Sequence, residues 1–393
     1  MHYLDCLNGV TDFSDTKEIL INKKLIVKEY ENLFLVKYDK NLLDITDSDS
    51  RKCRGLIMEK NTNKVVCIPP QKSIRNFPLD NFNNIIFEEF VDGTLINVFK
   101  YNNVVYISTK SCLDAQCKYY SSKTFNLLFN ECIDVSIFNN LDENICLSFV
   151  IQHPENIIVQ KYEKPDLVLV SGVDLSNYRF IPNKELQSLL ESKDMTFKIP
   201  KSYNIDDDNG LQKKVASLTQ HEQGLILKLN NDNSIRGKIR NDYYNYVKDL
   251  KGNTNNKKYL YFELRKNKSL EEYIKYFPED TEIFESYRTE LYDAQNTLFN
   301  FYQDCHVRKN SDTNKKKIKF LEIDFEYRPL CNDLHSKYIT DNQIITKYKV
   351  IQYLNNIPTA KLLFVLNYKN NLKKNLLKEI KENNTKYKLN IKM

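Results

Sequence analysis

The spacing of apolar residues changes once along this chain, near residue 250, and that change governs what the chain can fold into. Before it, apolar residues come in short runs bounded by Asn, Asp, Gly and Pro. NLFLVKYD (32–39), RGLIMEK (54–60), KVVCIPP (64–70), NVVYISTK (103–110), NICLSFVIQ (144–152), DLVLVSGVD (166–174) and QGLILKLN (223–230) have strand length and many β-branched and aromatic residues. INVFKY and VVYIS, meeting at Asn102-Asn103, read as a hairpin whose turn tolerates positive φ. Two stretches, 114–133 and 184–193, read as helices between strands, with Asp114 as N-cap of the first.

After the change the period is helical. DTEIFESYRTELYDAQNTLFNFYQDCH (280–306) places apolar residues three and four apart over many turns. SLEEYIKYF (269–277) opens with Ser269 as N-cap and Glu272 completing a capping box. Segments 339–355, 358–367 and 371–383 also read as helical, with Pro358 at a first turn. The expected architecture is an α+β domain with mixed or antiparallel sheets over 1–250, then an all-α domain over 259–393. KGNTNNKK (251–258) is the expected linker, and no internal repeat is visible.

With 41% hydrophobic and 28% charged residues, the chain suits a folded globular protein rather than a disordered one. It contains no apolar run of membrane-spanning length and opens on no secretory signal, so a cytoplasmic protein with no membrane partner is expected. Nine cysteines lie scattered, without C-x-x-C pairs or zinc spacing, which implies idle thiols in a reducing compartment and no metal site. His153 and His221 lack partners at ligand spacing and read as structural histidines. There is no Gly-rich phosphate loop and no Ser/His/Asp or Cys/His arrangement. The net charge of +6 is modest, but Lys315-Lys316-Lys317 with Lys319, and the tail from Lys369 to Lys392, are basic clusters. Each fits a solvated helix face or a phosphate-facing patch. The absence of Trp and the wealth of Lys, Asn, Tyr and Ile suit an AT-rich genome.

One stretch raises the question of chemistry. IIFEEFVDGTLINVF (85–99) breaks at Asp92-Gly93 and resumes as a strand. It stands in order with LFLVKYDK, CRGLIMEK, STKSCLDA, FVIQHPENIIVQKY, QGLILKLN and GKIRNDYYNYVKD. In that order and spacing, Asn32 to Lys248 resembles the RNA ligases of the covalent nucleotidyltransferase superfamily, of the phage and fungal tRNA-repair type. The resemblance implies a nucleotidyltransferase fold. It also implies a lysine amine that attacks the α-phosphate of ATP, passes the adenylate to an RNA 5′-phosphate, and is helped by carboxylates that hold a metal ion.

The departures from that pattern fall on the reacting groups. Phe90 stands where the nucleophilic lysine belongs, two residues before Asp92-Gly93. Val150 follows Phe149 where a glutamate is expected, and Gln223 precedes Gly224 where another is expected. Glu222 is one step away, which on a strand means the opposite face unless a bulge re-aims it. The frame matches: Arg54-Gly55, Asp92-Gly93-Thr94, Pro154-Glu155-Asn156, Lys228, Lys238 and Arg240, with Lys110 as the cation of Thr109-Lys110-Ser111. Lys72, Lys100 and Lys110 are the lysines that could replace the lost nucleophile. Tyr243, Tyr244 and Tyr246 read as packing residues rather than base-stacking ones. The resemblance thus implies a former active site, without catalytic residues, cofactor or metal, and a protein acting by binding. By analogy with tRNA repair it implies an immunity protein, as of a fungal killer plasmid, whose partner is a tRNA-cleaving toxin captured directly, or else RNA shielded in the basic cleft. The alternatives are an active ATP-dependent RNA ligase with a relocated lysine, or a noncatalytic RNA-binding subunit.

Overall fold

The structure, a computed structural model, describes residues 2–74, 77–230, 235–308 and 318–390, with side chains as far as residue 380. Lys315-Lys316-Lys317 and the side chains of the tail beyond Ile380 lie outside the described residues. The chain divides into two units, Met1–Lys248 and Asp249–Met393.

The strand-length runs of the first unit form three antiparallel sheets. The first joins β1 (Leu25–Glu29), β2 (Leu33–Tyr38), β3 (Arg54–Glu59) and β4 (Val65–Cys67) in that order. Leu33 to Val36 are buried without a break, so both faces of β2 are covered, as its uninterrupted apolar run requires. Helix α1 (Phe13–Asn22), capped by the Asp12 carboxylate, adds Leu20 to this core, and a short α2 (Ser48–Lys52) leads into β3. The β2–β3 ladder slips beside Gly55: Val36 faces Leu56, but Lys37 faces Arg54. Gly55 has φ +95°, and a Cβ there would stand 2.8 Å from the Lys110 Cα. This bulge re-aims Arg54 and lets the turn carrying Lys110 lie directly on the strand.

Strand β5 (Ile85–Glu89) belongs to the third sheet. The chain leaves it at Phe90, crosses through Val91-Asp92-Gly93 and enters the second sheet as β6 (Thr94–Tyr101). That sheet also holds β7 (Val104–Thr109), β8 (Cys112–Leu113), β9 (Ile145–Gln152), β10 (Asp166–Asp174) and β11 (Arg179–Ile181), in the order β11-β10-β9-β6-β7-β8. The expected hairpin turn joins β6 and β7, with Asn102 at φ 49° and Asn103 at φ 61°. Helices α3 (Phe125–Cys132) and α4 (Asn183–Glu191) contribute to its core, where Phe129, Phe138, Phe149 and Phe197 pack edge to face or stacked. The third sheet is completed by β12 (Ser202–Tyr203), β13 (Gly224–Leu229) and β14 (Arg236–Arg240), in the order β12-β5-β13-β14. Helix α5 (Asp208–Ala216) precedes β13, and α6 (Asp242–Lys251) follows β14.

The crossing at 90–93 is pinned by one buried side chain. Asp92 accepts hydrogen bonds from the backbone N–H groups of Val159 (3.2 Å) and Gln160 (2.8 Å) and from the Tyr244 hydroxyl (2.7 Å). Its own carbonyl accepts from the Tyr162 hydroxyl at 2.8 Å. Gly93, at φ +143°, has no room for a side chain, since a Cβ would fall 2.2 Å from the Ile151 carbonyl oxygen.

The expected helix over 114–133 is only Phe125–Cys132, capped by the Thr124 hydroxyl rather than by Asp114. Asp114 and Ala115 take left-handed φ values of 59° and 51°. The carbonyls of Ala115 and Cys117 accept from Asn126 and Phe125 instead of starting a helix.

The second unit is helical: α7 (Lys257–Lys266), α8 (Leu270–Tyr276), α9 (Thr281–Tyr302), α10 (Arg328–Asp341), α11 (Lys347–Asn356) and α12 (Thr359–Asn390). Thus α7 begins inside the segment expected as a linker. The apolar spacing of 280–306 becomes α9 with a π-turn at Gln303–Val307, burying Phe284, Leu291, Leu298 and Tyr302. Ser269 precedes α8, but its hydroxyl donates back to the Leu264 carbonyl, so the capping box does not form. The segment 339–355 splits at Asn342, which ends α10 in the left-handed region, and 358–383 runs as the single helix α12. No helix among the described residues is long and apolar enough to cross a membrane.

Candidate functional site

Three departures from the ligase pattern, far apart in sequence, meet at one cavity. Phe90, at the end of β5, donates its backbone N–H to the Gly224 carbonyl (3.0 Å), which draws it against the start of β13. Val150 lies on β9 opposite Leu95 of β6, and Gln223 stands just before β13. All three line a cavity of about 230 Å³, with Arg54, Gly93 and Arg240. That is below the ~300 Å³ lower end of typical small-molecule sites. Val91, Leu95, Ile158 and Val170 make part of the wall apolar. The Arg240 guanidinium lies 5.6 Å from the centre of the Phe90 ring, within cation–π range.

Arg54, Arg236, Arg240 and Lys248 are the basic residues of the lining, and Lys110 and Lys238 stand near them outside it. The Arg54 guanidinium donates to the Pro70 carbonyl at 3.4 Å beside the Tyr38 phenol, and burial holds its pKa below the ordinary value. The Lys110 ammonium sits 3.7 Å from the centre of the Tyr38 ring. Burial, then the charges of Arg54, Lys37, Lys72 and Lys40, bring Lys110 down to about 8. Lys238 also falls to about 8, through burial and then Arg240, Lys72, Arg54 and Lys248. Arg54 and Lys72 act on both lysines, so the groups form one electrostatic set. Arg236 falls to about 10, through burial and the nearby Arg54, and its buried Nε has no hydrogen-bond partner among the described residues. Positive groups that depress one another in this way leave an unfilled demand for an anion.

Lys228 plays a different part. Its ammonium is buried and paired with Glu88 at 2.7 Å, while Asn183 donates to the other Glu88 oxygen at 2.8 Å. Burial outweighs that pairing and lowers the Lys228 pKa. This pair ties β13 to β5, with Glu88 in the cavity lining and Lys228 outside it. Asp92 is a tether rather than a lining residue. Glu222 bonds to the Thr219 N–H (2.9 Å) and hydroxyl (3.1 Å) in the turn before β13, and no bulge brings it into the cavity.

Of the lysines that could stand in for a nucleophile, Lys72, Lys100 and Lys110, none lines the cavity, and Lys100 is directed to the Asn139 carbonyl (2.9 Å). Lys72 and Lys110 flank Tyr38, with Lys72 5.8 Å from its ring centre. Tyr244 is buried, as expected of a packing residue, whereas Tyr243 and Tyr246 are 46% and 43% exposed on α6. His153 is buried, bonded to Glu131 at 2.9 Å and accepting from the Glu155 N–H, a structural role. Motif spacing alone does not point to Glu88, Glu89, Tyr38 or Arg236. A glutamate pair closing an otherwise apolar strand is the signal in the sequence for the first two.

No family model matches the chain. It is 23% identical over 304 residues to the putative bifunctional polynucleotide kinase/RNA ligase of Autographa californica nuclear polyhedrosis virus, a match covering 70% of this chain and 42% of that protein. The chain thus spans well under half the length of that relative. Solved structures similar to it include a putative ATP-dependent DNA ligase from Aquifex aeolicus (TM-score 0.45, 16% identity, 74% of this chain and 80% of that one). An archaeal ATP-dependent RNA ligase gives TM-score 0.45 with 12% identity over 87% of this chain and 78% of that one. A Naegleria gruberi RNA ligase bearing ATP and Mn gives 0.35 with 13% identity over 42% of this chain and 51% of that one. The similarities run to polynucleotide ligases.

Proposed function

We propose that this chain is an RNA ligase-like protein that does not ligate, and that it acts by holding RNA against the cation set around Arg54, Lys110, Lys238 and Arg240. One observation carries the reading. Phe90 fills the nucleophile's position under Arg240, beside Val150 and Gln223, while the surrounding cations are retained. A benzyl group has no atom able to attack phosphorus, and a valine and an amide bring no charge to a divalent ion. The donor set does not fit a catalytic metal: of the two carboxylates lining the cavity, Glu88 is taken up by Lys228 and Asn183 and Glu89 remains, and no group of three His, Cys, Asp or Glu among the described residues could hold an ion.

The setting that fits is immunity to a tRNA-cleaving nuclease, reached by covering the RNA. A nuclease that grips RNA presents its own positive face, which the basic cleft would repel, whereas a phosphodiester chain is attracted. The test has three arms. Incubation with α-labelled ATP and Mg²⁺ or Mn²⁺, followed by denaturing electrophoresis, should leave the protein unlabelled. Titration with tRNA should give affinity that falls steeply with salt. Purified nuclease should cut tRNA more slowly in the protein's presence, without binding it when tRNA is absent. A labelled band would restore the active-ligase reading, and nuclease binding without RNA would restore direct capture.

A further inference from the structure

In the β7–β8 hairpin, Thr109 lies opposite Cys112 and Ser108 opposite Leu113. The chain then doubles back through the left-handed pair Asp114-Ala115. Three hydrogen bonds from the start of α3 clamp this return: Asn126 N–H to the Ala115 carbonyl (3.0 Å), Phe125 N–H to the Cys117 carbonyl (3.0 Å), and the Asn126 amide to the Asp114 carbonyl (2.9 Å). The result places the Cys117 sulfur 3.5 Å from the Thr109 hydroxyl, which itself donates to the carbonyl of its strand partner Cys112 at 3.4 Å; the Cys112 thiol donates to the Leu113 carbonyl at 3.2 Å, and burial and then the neighbouring Cys117 raise its pKa. Both are partly exposed. The sulfurs of Cys67 and Cys146 are also close, at 3.6 Å, but both residues are sealed in the core. Cysteines scattered in sequence are therefore not all solitary in space.

We propose that Cys112 and Cys117 form a reversible dithiol–disulfide site that exchanges with small disulfides such as oxidised glutathione. One cysteine thiolate attacks a sulfur of oxidised glutathione, and one glutathione leaves as thiolate and takes up a proton. The second cysteine loses its proton and attacks the protein-side sulfur of the mixed disulfide, releasing the second glutathione. Two protein thiols give up two electrons and two protons, and two glutathione thiols are formed. The return turn brings both cysteines to the same Thr109 hydroxyl, one through its sulfur and the other through its carbonyl, which is the approach a bridge between them requires. Lys110 lies two residues before Cys112, in the turn seated on Gly55, so the disulfide would staple the segment carrying one end of the cation set.

The experiment uses the full chain with oxidised glutathione, alkylation of remaining thiols, and non-reducing peptide mass spectrometry. The expected product links Cys112 to Cys117 with loss of two hydrogens and is reversed by dithiothreitol. Cys112→Ser and Cys117→Ser should each trap one glutathione on the remaining cysteine. Stable glutathione on both residues of the unaltered chain, no reaction at either, or a bridge elsewhere would overturn the site. A tRNA titration of both redox forms reads the consequence, and this arm rests on the RNA-binding reading above. An affinity change of about threefold or more supports coupling to the cleft. Equal affinities with the bridge present remove that coupling alone, and no RNA binding in either form counts against the proposed function instead.

Discussion

On the proposed reading Phe90 stands where the resemblance puts a nucleophile, and it does so in company, with Val150 and Gln223 lining the same cavity. Restoring the amine by Phe90→Lys should not restore adenylate transfer, because Val150 and Gln223 still hold the two places where the resemblance puts glutamates, and of the two carboxylates that do line the cavity, Glu88 and Glu89, the first is already paired with Lys228. The single variant should stay unlabelled by α-labelled ATP; label, if it returns, should need Phe90→Lys, Val150→Glu and Gln223→Glu together. Lys110 and Lys238 give a second test. Both are held at about 8 by burial and neighbouring cations. Between pH 8 and the ordinary lysine value near ~10.4 the unfolded chain therefore binds more protons than the folded one, so these lysines favour the folded state increasingly as pH rises through that window. RNA binding runs the opposite way. As pH climbs from 7 to 9 the two ammonium groups lose charge and the dissociation constant for tRNA should rise, a trend that Lys238→Arg should flatten, since a guanidinium keeps its proton. At this scale the sequence is most legible: motif spacing picks out Phe90, Val150 and Gln223, which line one cavity, and Arg54 and Arg240 beside them. It does not name Glu88, Tyr38 and Arg236, because each matters through a partner distant in sequence, Lys228, Arg54 and Arg54 in turn.

Strands are easier to read than helices, for a physical reason. A buried strand declares itself by a dense apolar run, and 166–174 matches its strand to the residue. The stretch 114–133 carries enough apolar residues for a helix, yet its first carbonyls are taken by Asn126 and Phe125, a tertiary outcome no local propensity encodes. The two tight crossings make predictions at this level. Gly93→Ala would drive a methyl group into the Ile151 carbonyl and should cost about 3 kcal/mol or more, read as a fall in the urea midpoint. Gly55→Ala meets the Lys110 backbone instead. It should weaken tRNA binding more than it lowers stability, because the turn it displaces can move outward; equal losses in both would argue that Lys110 does not face the ligand.

For the whole molecule, a net charge of +6 says little, since 58 basic residues stand against 52 acidic ones. What counts is that Arg54, Arg236, Arg240 and Lys248 line one cavity, and that Lys110 and Lys238 stand close enough to Arg54 to feel its charge. Their engagement with single-stranded RNA should appear as a salt slope of about −0.7 per phosphate contacted, and removing Lys238 and Arg240 together should make it shallower by about 1.4. An unchanged slope would mean that RNA, if bound, lies elsewhere.

Asp92 has the widest implication. Four hydrogen bonds, three to its carboxylate and one to its carbonyl, make the Asp-Gly step the joint by which two sheets are fastened. A chain can discard its reagents and still need that joint in order to fold. Finding Asp-Gly intact in a sequence therefore testifies to carpentry, and chemistry has to be judged from the residue two places upstream.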